Sequence, residues 1–355
     1  MYFEINEKTL YQMRCYELSK KITIKDIARE AGVSVTTVSR VLNKTGRIGS
    51  KTREKINKVI EEFGYHPNSA AQSMKTGRTR NIFFVVPDIT NPFYASLAKE
   101  LQLLSREKNY NITLYNTNES LKEELRAIET ACEVCAGGIV FASINESREV
   151  IDKLLEANIP AVLLNSYLKC EFDTVHGEIN AGTYLSTNYL IENGHKVIGF
   201  AGAPADTTVG KSRKQGYITA LQNAGLNVDE KLSFEMGLSE DAGYKAGKYF
   251  STLKKKPTAI CCANDIVAMG VLTALYEEGI VVPDDISIVG MDDIIYSRIS
   301  RPPLTSVSND SNVFARSAFS MLFERIENTY EGEPREIIVE RNLIIRESVS
   351  TNKCN

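Results

Sequence analysis

The sequence predicts an all-α helix-turn-helix headpiece followed by an α/β core of two doubly wound parallel-sheet lobes in tandem. Three observations carry that expectation. From Thr23 to Asn43 apolar residues recur at helical spacing, with a glycine between two short runs. From Asn81 onward short apolar runs alternate with helix-length segments, and the rhythm starts again after about residue 178. Charge is segregated as well. Residues 20–80 hold 14 Lys/Arg against 5 Asp/Glu, a net of +9 in a chain whose total is −3, which leaves −12 for the remainder. A basic module on an acidic body is the electrostatic footprint of nucleic-acid binding at one end.

In the head, Thr23 can cap a first helix together with Asp26 three residues on. Ile24, Ile27, Ala28 and Ala31 then share one face, and Gly32 stands where the chain must turn out of the helix. Ser34 can cap a second helix that turns Val38, Val41 and Leu42 inward. Val35, Thr36 and Arg40 are left outward, with Thr36 and Arg40 one turn apart, and Thr37, Ser39 and Asn43 add short polar groups. An ordinary helical hairpin with a solvated face has the same outline. The outward set nevertheless suits base edges, because arginine pairs with guanine and the Val or Thr methyls meet thymine. A third helix is expected over residues 50–63, after a loop at 44–49, with Ile56, Val59, Ile60 and Phe63 on its inner face. The segment Asn68–Met74 has helix propensity but is too short to be stable alone, and its Gly, Pro and basic flanks also suit a linker.

In the core, strands are expected at 82–86, 112–115, 138–141 and 161–164, then at 197–201, 232–236, 259–263 and 286–290, with segments of helix length between them. A helix near 310–331 and a strand region at 336–346 have no place in a simple second lobe. Two similar α/β lobes make the cleft between them the expected ligand site.

Residues 26–43 read D-I-A-x-x-A-G-V-S-x-x-T-V-S-R-V-L-N, and this stretch closely resembles the headpiece of the LacI/GalR family of bacterial transcription regulators. Asp88-Ile-Thr-Asn-Pro-Phe-Tyr94, Arg213-Lys-Gln-Gly-Tyr217, Ala263–Gly270, Pro283–Asp293, Pro303-Leu-Thr305 and Arg346-Glu-Ser348 extend the resemblance over most of the chain. It implies lobes like those of periplasmic binding proteins, a homodimer on a pseudo-palindromic double-stranded operator, and a repressor tuned by a small molecule. It also implies a DNA-contacting set: Thr23, Ser34, Val35, Thr36, Thr37, Ser39, Arg40 and Asn43 in the head, then Asn68, Ala71 and Met74 in a hinge helix. Met74 stands where the family wedges a leucine into the minor groove. Gly49 stands where a serine is usual, so Ser50 is expected to take over that cap. The domains implied are an extension at 1–20, the helix-turn-helix domain at 21–66, hinge and linker at 67–79, and the two-lobed domain at 80–350. Its three crossings divide it into about 80–177 plus 309–334, and about 178–308 plus 335–350. Met13 is an alternative start to the chain.

The effector candidates are Phe93, Tyr94, Arg213, Asn264, Asp292 and Asn309. Carboxylate, amide and guanidinium together match a ligand with several hydroxyls. Each has a plainer reading: Phe93 and Tyr94 as core, and Asp292 or Asp293 as a cap. Two departures from the family stand out. Glu178-Ile179 replaces the usual Asp-Asn, and Leu238 replaces an aromatic that often stacks on the ligand. With no Trp in the chain, stacking rests on one side, which favours a sugar or polyol over a purine.

Other chemistry is weakly represented. No apolar run reaches the roughly 18–20 residues that span a bilayer, and the N-terminus lacks a secretory pattern, so a cytoplasmic protein with no membrane partner is expected. Seven scattered cysteines do not form a disulfide framework. Cys132-Glu-Val-Cys135 has redox spacing but lies in a helical run, away from the helix start that activates a catalytic thiol. Cys261 and Cys262 read as packing residues in an apolar strand. His66, His176 and His195 form no metal spacing, and no cofactor is expected. Ala205-Asp-Thr-Thr-Val-Gly-Lys-Ser212 approaches a phosphate-cradling loop but lacks its first glycine, so a nucleotide-binding enzyme is a remote alternative. A pure solute-binding protein shares the lobes but needs no head.

Overall fold

The computed structural model describes residues 22–42, 46–65, 77–143, 147–166, 171–178, 180–204 and 207–352. The chain divides into two compact units, Met1–Thr76 and Gly77–Asn355. The extension at 1–20, the hinge at 67–76 with Asn68, Ala71 and Met74, and Asn43 lie outside the described residues.

In the first unit, helices Ile24–Glu30, Val35–Leu42 and Ser50–Glu62 enclose a core of Ile27, Ala28, Ala31, Val38, Val41, Ile56, Val59 and Tyr65. Fully burying each large aliphatic among these contributes about 1.5–3 kcal/mol. Thr23 caps the first helix as expected: its amide and its hydroxyl both donate to Asp26 Oδ2, at 3.0 and 2.7 Å. Ser34 Oγ accepts from the Thr37 amide at 3.2 Å. Two expectations for the third helix need correction. Gly49, not Ser50, is its N-cap, and Ser50 is the first helical residue, so no side chain caps this end. Phe63 is not an inner residue. The helix ends at Glu62, and Gly64 at φ +56° reverses the chain so that Tyr65 enters the core and Phe63 is left 39% exposed.

The second unit holds two six-stranded sheets. The first has β1 (Asn81–Val86), β2 (Asn111–Asn116), β3 (Gly138–Ala142), β4 (Ala161–Leu164), β5 (Asp173–Gly177) and β11 (Glu336–Val339), in the order β11-β5-β4-β3-β1-β2. Every pairing in it is parallel. The second has β6 (Ile198–Gly202), β7 (Ser233–Glu235), β8 (Ala259–Cys262), β9 (Ser287–Asp292), β10 (Thr305–Ser308) and β12 (Asn342–Ile344), in the order β12-β10-β9-β8-β6-β7. Here only the β10–β12 edge is antiparallel. Helices cover both faces of each sheet, so central strands read as unbroken apolar runs, β1 as Ile82–Val86 and β8 as Ala259–Cys262.

The chain leaves one lobe for the other after Gly177, after Ser308 and after Val339. The third crossing lies later than the expected boundary at 335, because Glu336–Val339 pairs with Thr174–Gly177 in the first sheet. The helix expected near 310–331 is Ser311–Ile326, and it packs on the first lobe with Phe314, Ala318 and Leu322 buried. Strands β5 and β10 are additions to the expected set.

Candidate DNA-reading helix and effector cleft

On the helix Val35–Leu42, Val38 and Val41 are buried while Val35, Thr36 and Arg40 are exposed, so the amphipathic pattern leaves the outward set in solvent. Thr37 and Ser39 are half-buried beside them. The hydroxyls of Thr36 and Thr37 both lie within hydrogen-bond distance of Ser34 Oγ, at 2.7 and 2.8 Å. They cluster at a helix N-terminus, where backbone amides and the helix dipole favour phosphate. The stem of Arg40 lies against Gly46, whose φ is +73° and where an added β-carbon would sit 3.4 Å from Arg40 Cδ. Lys51, Arg53, Lys55 and Lys58 are exposed on the following helix. The arrangement offers apolar and guanidinium contacts for base edges, flanked by cations for the backbone.

Within the second unit a cleft of about 870 Å³, partly open to solvent, is lined by residues of both lobes. It forms at strand C-termini, where each sheet reverses its strand order between β1 and β3, and between β6 and β8. Phe93, Tyr94, Arg213, Asn264, Asp292 and Asn309 all line it. Their environments differ. Asn91 caps the helix Pro92–Glu107 by accepting from the Phe93 amide at 3.0 Å, with Pro92 at the first helical position. Phe93 is only 5% exposed and packs edge-on to Phe314 (5.9 Å) and Tyr94 (5.2 Å), so it is mainly a core residue at the floor of the cleft. Tyr94 is half-buried, and its phenol pKa is raised by burial and by the nearby Asp292 carboxylate.

Asn264 is the N-cap of the helix Asp265–Glu277: Oδ1 accepts from the Val267 amide (2.7 Å) and Nδ2 donates to the Leu238 carbonyl (3.0 Å). Asp292 ends β9 at φ +106°, a conformation few non-glycine residues adopt. Its Oδ1 accepts from Asn309 Nδ2 at 2.8 Å. Burial raises its pKa, while the Arg213 guanidinium pulls it down. Asp293, also at positive φ, pairs with Arg346 at 2.6 Å, so one aspartate faces the cleft and its neighbour fastens the loop. Beneath them lies Asp265, fully buried. It accepts from the Ile294 amide (2.9 Å), Ser297 Oγ (2.7 Å) and Ser306 Oγ (2.6 Å). Burial and the Asp292 charge push its carboxyl up to about 7.

Two atoms facing this space are buried with no hydrogen-bond partner among the described residues, Arg213 Nη1 and Asn309 Oδ1. The cleft also contains Arg341, Asn165, Ser143 and Glu119, which the sequence did not single out. Arg341 stands on the third crossing, packed against Gly177 and Gly182, where a β-carbon would meet its guanidinium. Each of the four follows or joins strands, a positional signal available only once the strands are placed. The phosphate-loop alternative finds no support in its described part. Thr207 Oγ1 already accepts from the Gly210 amide at 3.0 Å, and an added β-carbon at Gly210 would meet the Pro204 carbonyl. Ala205 and Asp206 lie outside the described residues.

Comparison with known proteins agrees with this geometry. A model of bacterial regulatory proteins of the lacI family matches residues 23–68, and one of a periplasmic binding protein-like domain matches residues 187–349. The chain is similar to the HTH-type transcriptional regulator RegA of Clostridium saccharobutylicum, at 34% identity over 92% of this chain and 98% of that protein. It is similar to the HTH-type transcriptional repressor PurR of Vibrio atlanticus, at 33% identity over 93% and 99%. Among solved structures, the transcriptional regulator CelR in complex with cellobiose aligns with TM-score 0.70 and 29% identity, covering 92% of this chain and 99% of that one. The Lac repressor dimer bound to operator and an anti-inducer aligns with TM-score 0.82 over 93% and 100%, at an identity of 22% that speaks for the fold alone. No described helix is long and apolar enough to cross a membrane. A reading head with an outward arginine, two lobes closing on a polar cleft, and relatives of this identity along nearly their whole length lead to one conclusion: the chain belongs to the lacI family of bacterial regulatory proteins, DNA-binding regulators of transcription.

Proposed function

We propose that this regulator is a cytoplasmic homodimeric repressor whose effector is a small polyhydroxylated molecule of the carbohydrate class, bound in the cleft and released unchanged. The observation that carries this reading is the pair of unpartnered buried atoms, Arg213 Nη1 and Asn309 Oδ1, beside the Asp292 carboxylate. Leaving a buried donor or acceptor unpaired costs about 1–3 kcal/mol, which a ligand supplying the complement removes. A donor, an amide oxygen and a carboxylate together suit hydroxyl groups, which both give and accept hydrogen bonds. The aromatic contacts are one-sided, with Tyr94 and Phe93 facing the aliphatic Leu238 and Val209, which suits a sugar ring better than a flat base stacked on both faces. The cellobiose complex of CelR, a relative in structure, supports the same class.

In the head, Val35, Thr36 and Arg40 read bases, while Thr23, Ser34, Thr37 and Ser39 hold phosphates. Effector binding changes how the two lobes close and so changes the root of the linker, which sets operator affinity. Arg40→Ala is expected to cost roughly 1–3 kcal/mol on operator DNA and to relax specificity at one base pair per half-site. An equal loss on random DNA would remove its base-reading role. A thermal-shift panel of sugars, polyols and nucleobases tests the effector class, since a ligand at 100 times its dissociation constant adds about 2.7 kcal/mol of stability. A sugar or polyol should raise Tm in the wild type and fail to do so in Arg213→Ala. A response confined to nucleobases would overturn the carbohydrate reading.

A further inference from the structure

Cys132 and Cys135 are both exposed, at the C-terminal end of the helix Leu121–Glu133. The Cys135 amide donates to the Cys132 carbonyl at 2.9 Å. Such a closed turn holds its first and last Cα atoms within about 7 Å, close to the upper end of the span a disulfide bridges. Cys135 is at φ +50°, in the left-handed position after a helix where glycine or asparagine is the usual occupant.

This turn grips the entry to the second unit. The Cys135 carbonyl accepts from the Thr79 amide at 2.6 Å and from Thr79 Oγ1 at 3.0 Å, and the Val134 carbonyl accepts from the same hydroxyl at 3.3 Å. Two residues further along, the Gly137 amide donates to the Asn81 carbonyl at 2.8 Å. Thr79 lies just past Gly77, where the second unit begins. The cysteine turn is therefore one anchor of the incoming linker, beside the bond that Arg78 donates to the Asn158 carbonyl at 2.8 Å.

The helix end also sets the redox character. A catalytic dithiol sits at a helix start, where the dipole stabilises a thiolate and makes the disulfide a strong oxidant. Here Cys132 lies at the negative end of the dipole, beside Glu129 and Glu133. Burial raises the Cys132 thiol further, against the pull of Lys153. With the Cys132 thiol held in its protonated form, nothing at this helix end favours the reduced pair in the way a helix start does.

We propose that Cys132 and Cys135 form a thiol–disulfide switch, oxidised by a low-molecular-weight disulfide, that loosens the linker root at Thr79 and lowers operator affinity. In the first step the Cys135 thiolate attacks one sulfur of the small disulfide, forming a mixed disulfide and expelling one small thiol. The Cys132 sulfur then attacks Cys135 and displaces the second. One small disulfide is reduced to two thiols, two protein thiols become one disulfide, and their two protons pass to the leaving groups. Closing the ring reorients the Cys135 peptide, whose carbonyl is the acceptor for Thr79.

The test equilibrates the full-length protein in buffers of reduced and oxidised glutathione, traps free thiols, maps the bridge by peptide mass and measures operator affinity of each form. The proposal rests on operator binding by the head, which the reduced protein reports separately. The expected result is a Cys132–Cys135 bridge with Cys261 and Cys262 free. Operator affinity should fall about three- to tenfold on oxidation, the range a net hydrogen bond is worth, and dithiothreitol should restore it. Cys132→Ser and Cys135→Ser should bind as the reduced wild type does and ignore glutathione. Glutathione left as a stable adduct, a bridge elsewhere, or equal operator affinity in both forms would overturn the proposal.

Discussion

On the first-lobe wall of the cleft, the aromatic side chains are also core residues: Phe93 packs edge-on to Phe314, and the Asn91 cap fixes the helix that carries it. On the second-lobe wall the polar groups are held away from their ordinary preferences. Asp292 sits at φ +106°, Asp265 is buried beneath it with a raised carboxyl, and Arg213 keeps a buried nitrogen unpaired. The aromatic packing on one wall is complete without a ligand, and the polar set on the other is not. The contrast teaches where to expect fold stability and where to expect recognition. Packing that satisfies itself stabilises the fold, whereas buried polar groups left unsatisfied mark the surface whose free energy a ligand can lower.

The largest effect separating the walls is expected from Phe93→Ala. It should cost about 3–5 kcal/mol of folding stability, the usual price of emptying an aromatic core site, read as a lower denaturation midpoint. A loss below about 1 kcal/mol would mean Phe93 belongs to the recognition wall after all. Next comes Arg213→Ala, which should leave the denaturation midpoint close to wild type and weaken effector binding 10- to 100-fold, as loss of a charge-assisted hydrogen bond of about 1.5–3 kcal/mol predicts. Calorimetry on the purified protein checks it, and a midpoint that falls as far as in Phe93→Ala would erase the distinction.

Smaller still, per unit of pH, is the effect of Asp265. Its folded carboxyl is pushed up to about 7 from an ordinary 3.8, so the folded state holds a proton that the unfolded chain releases first. Stability therefore falls as pH rises between about 4 and 7 and is level above, with a slope of at most about 1.4 kcal/mol per pH unit. Asp265→Asn keeps a group that can accept from the Ile294 amide and should flatten that slope. Denaturation midpoints at several pH values decide it. An unchanged slope in the variant would assign the pH dependence to another group.

The legibility of the chain in its sequence follows the same division. The first two helices of the head were readable because their local signals agreed: caps at Thr23 and Ser34, a glycine turn, and buried Ile27 and Val38 at helical spacing. Strands β5 and β10 were not, because Asp173-Thr-Val-His-Gly177 and Thr305-Ser-Val-Ser308 are too polar to read as buried. They are buried because specific partners meet them. Arg325 and Arg335 clasp Asp173, Thr305 N–H donates to Ser348 Oγ, and Ser306 donates to Asp265. Such pairings join residues up to 162 positions apart, and no local pattern carries them. Arg341 escaped notice for a related reason: it sits on the link between two short strands of different sheets, without a periodicity to mark its direction. The Phe63 expectation failed where Gly64 ended the helical period one residue early.

The central claim is that the cleft and the DNA-reading head share one equilibrium. Binding linkage makes that claim reciprocal: an effector that changes operator affinity by some factor must have its own affinity changed by operator to the same extent. Titrating the effector by calorimetry into the full-length protein, with and without saturating operator DNA, measures this directly. The account predicts two dissociation constants whose ratio equals the effector-induced change in operator affinity. Identical constants in the two titrations would contradict it, even with cleft binding and operator binding each real.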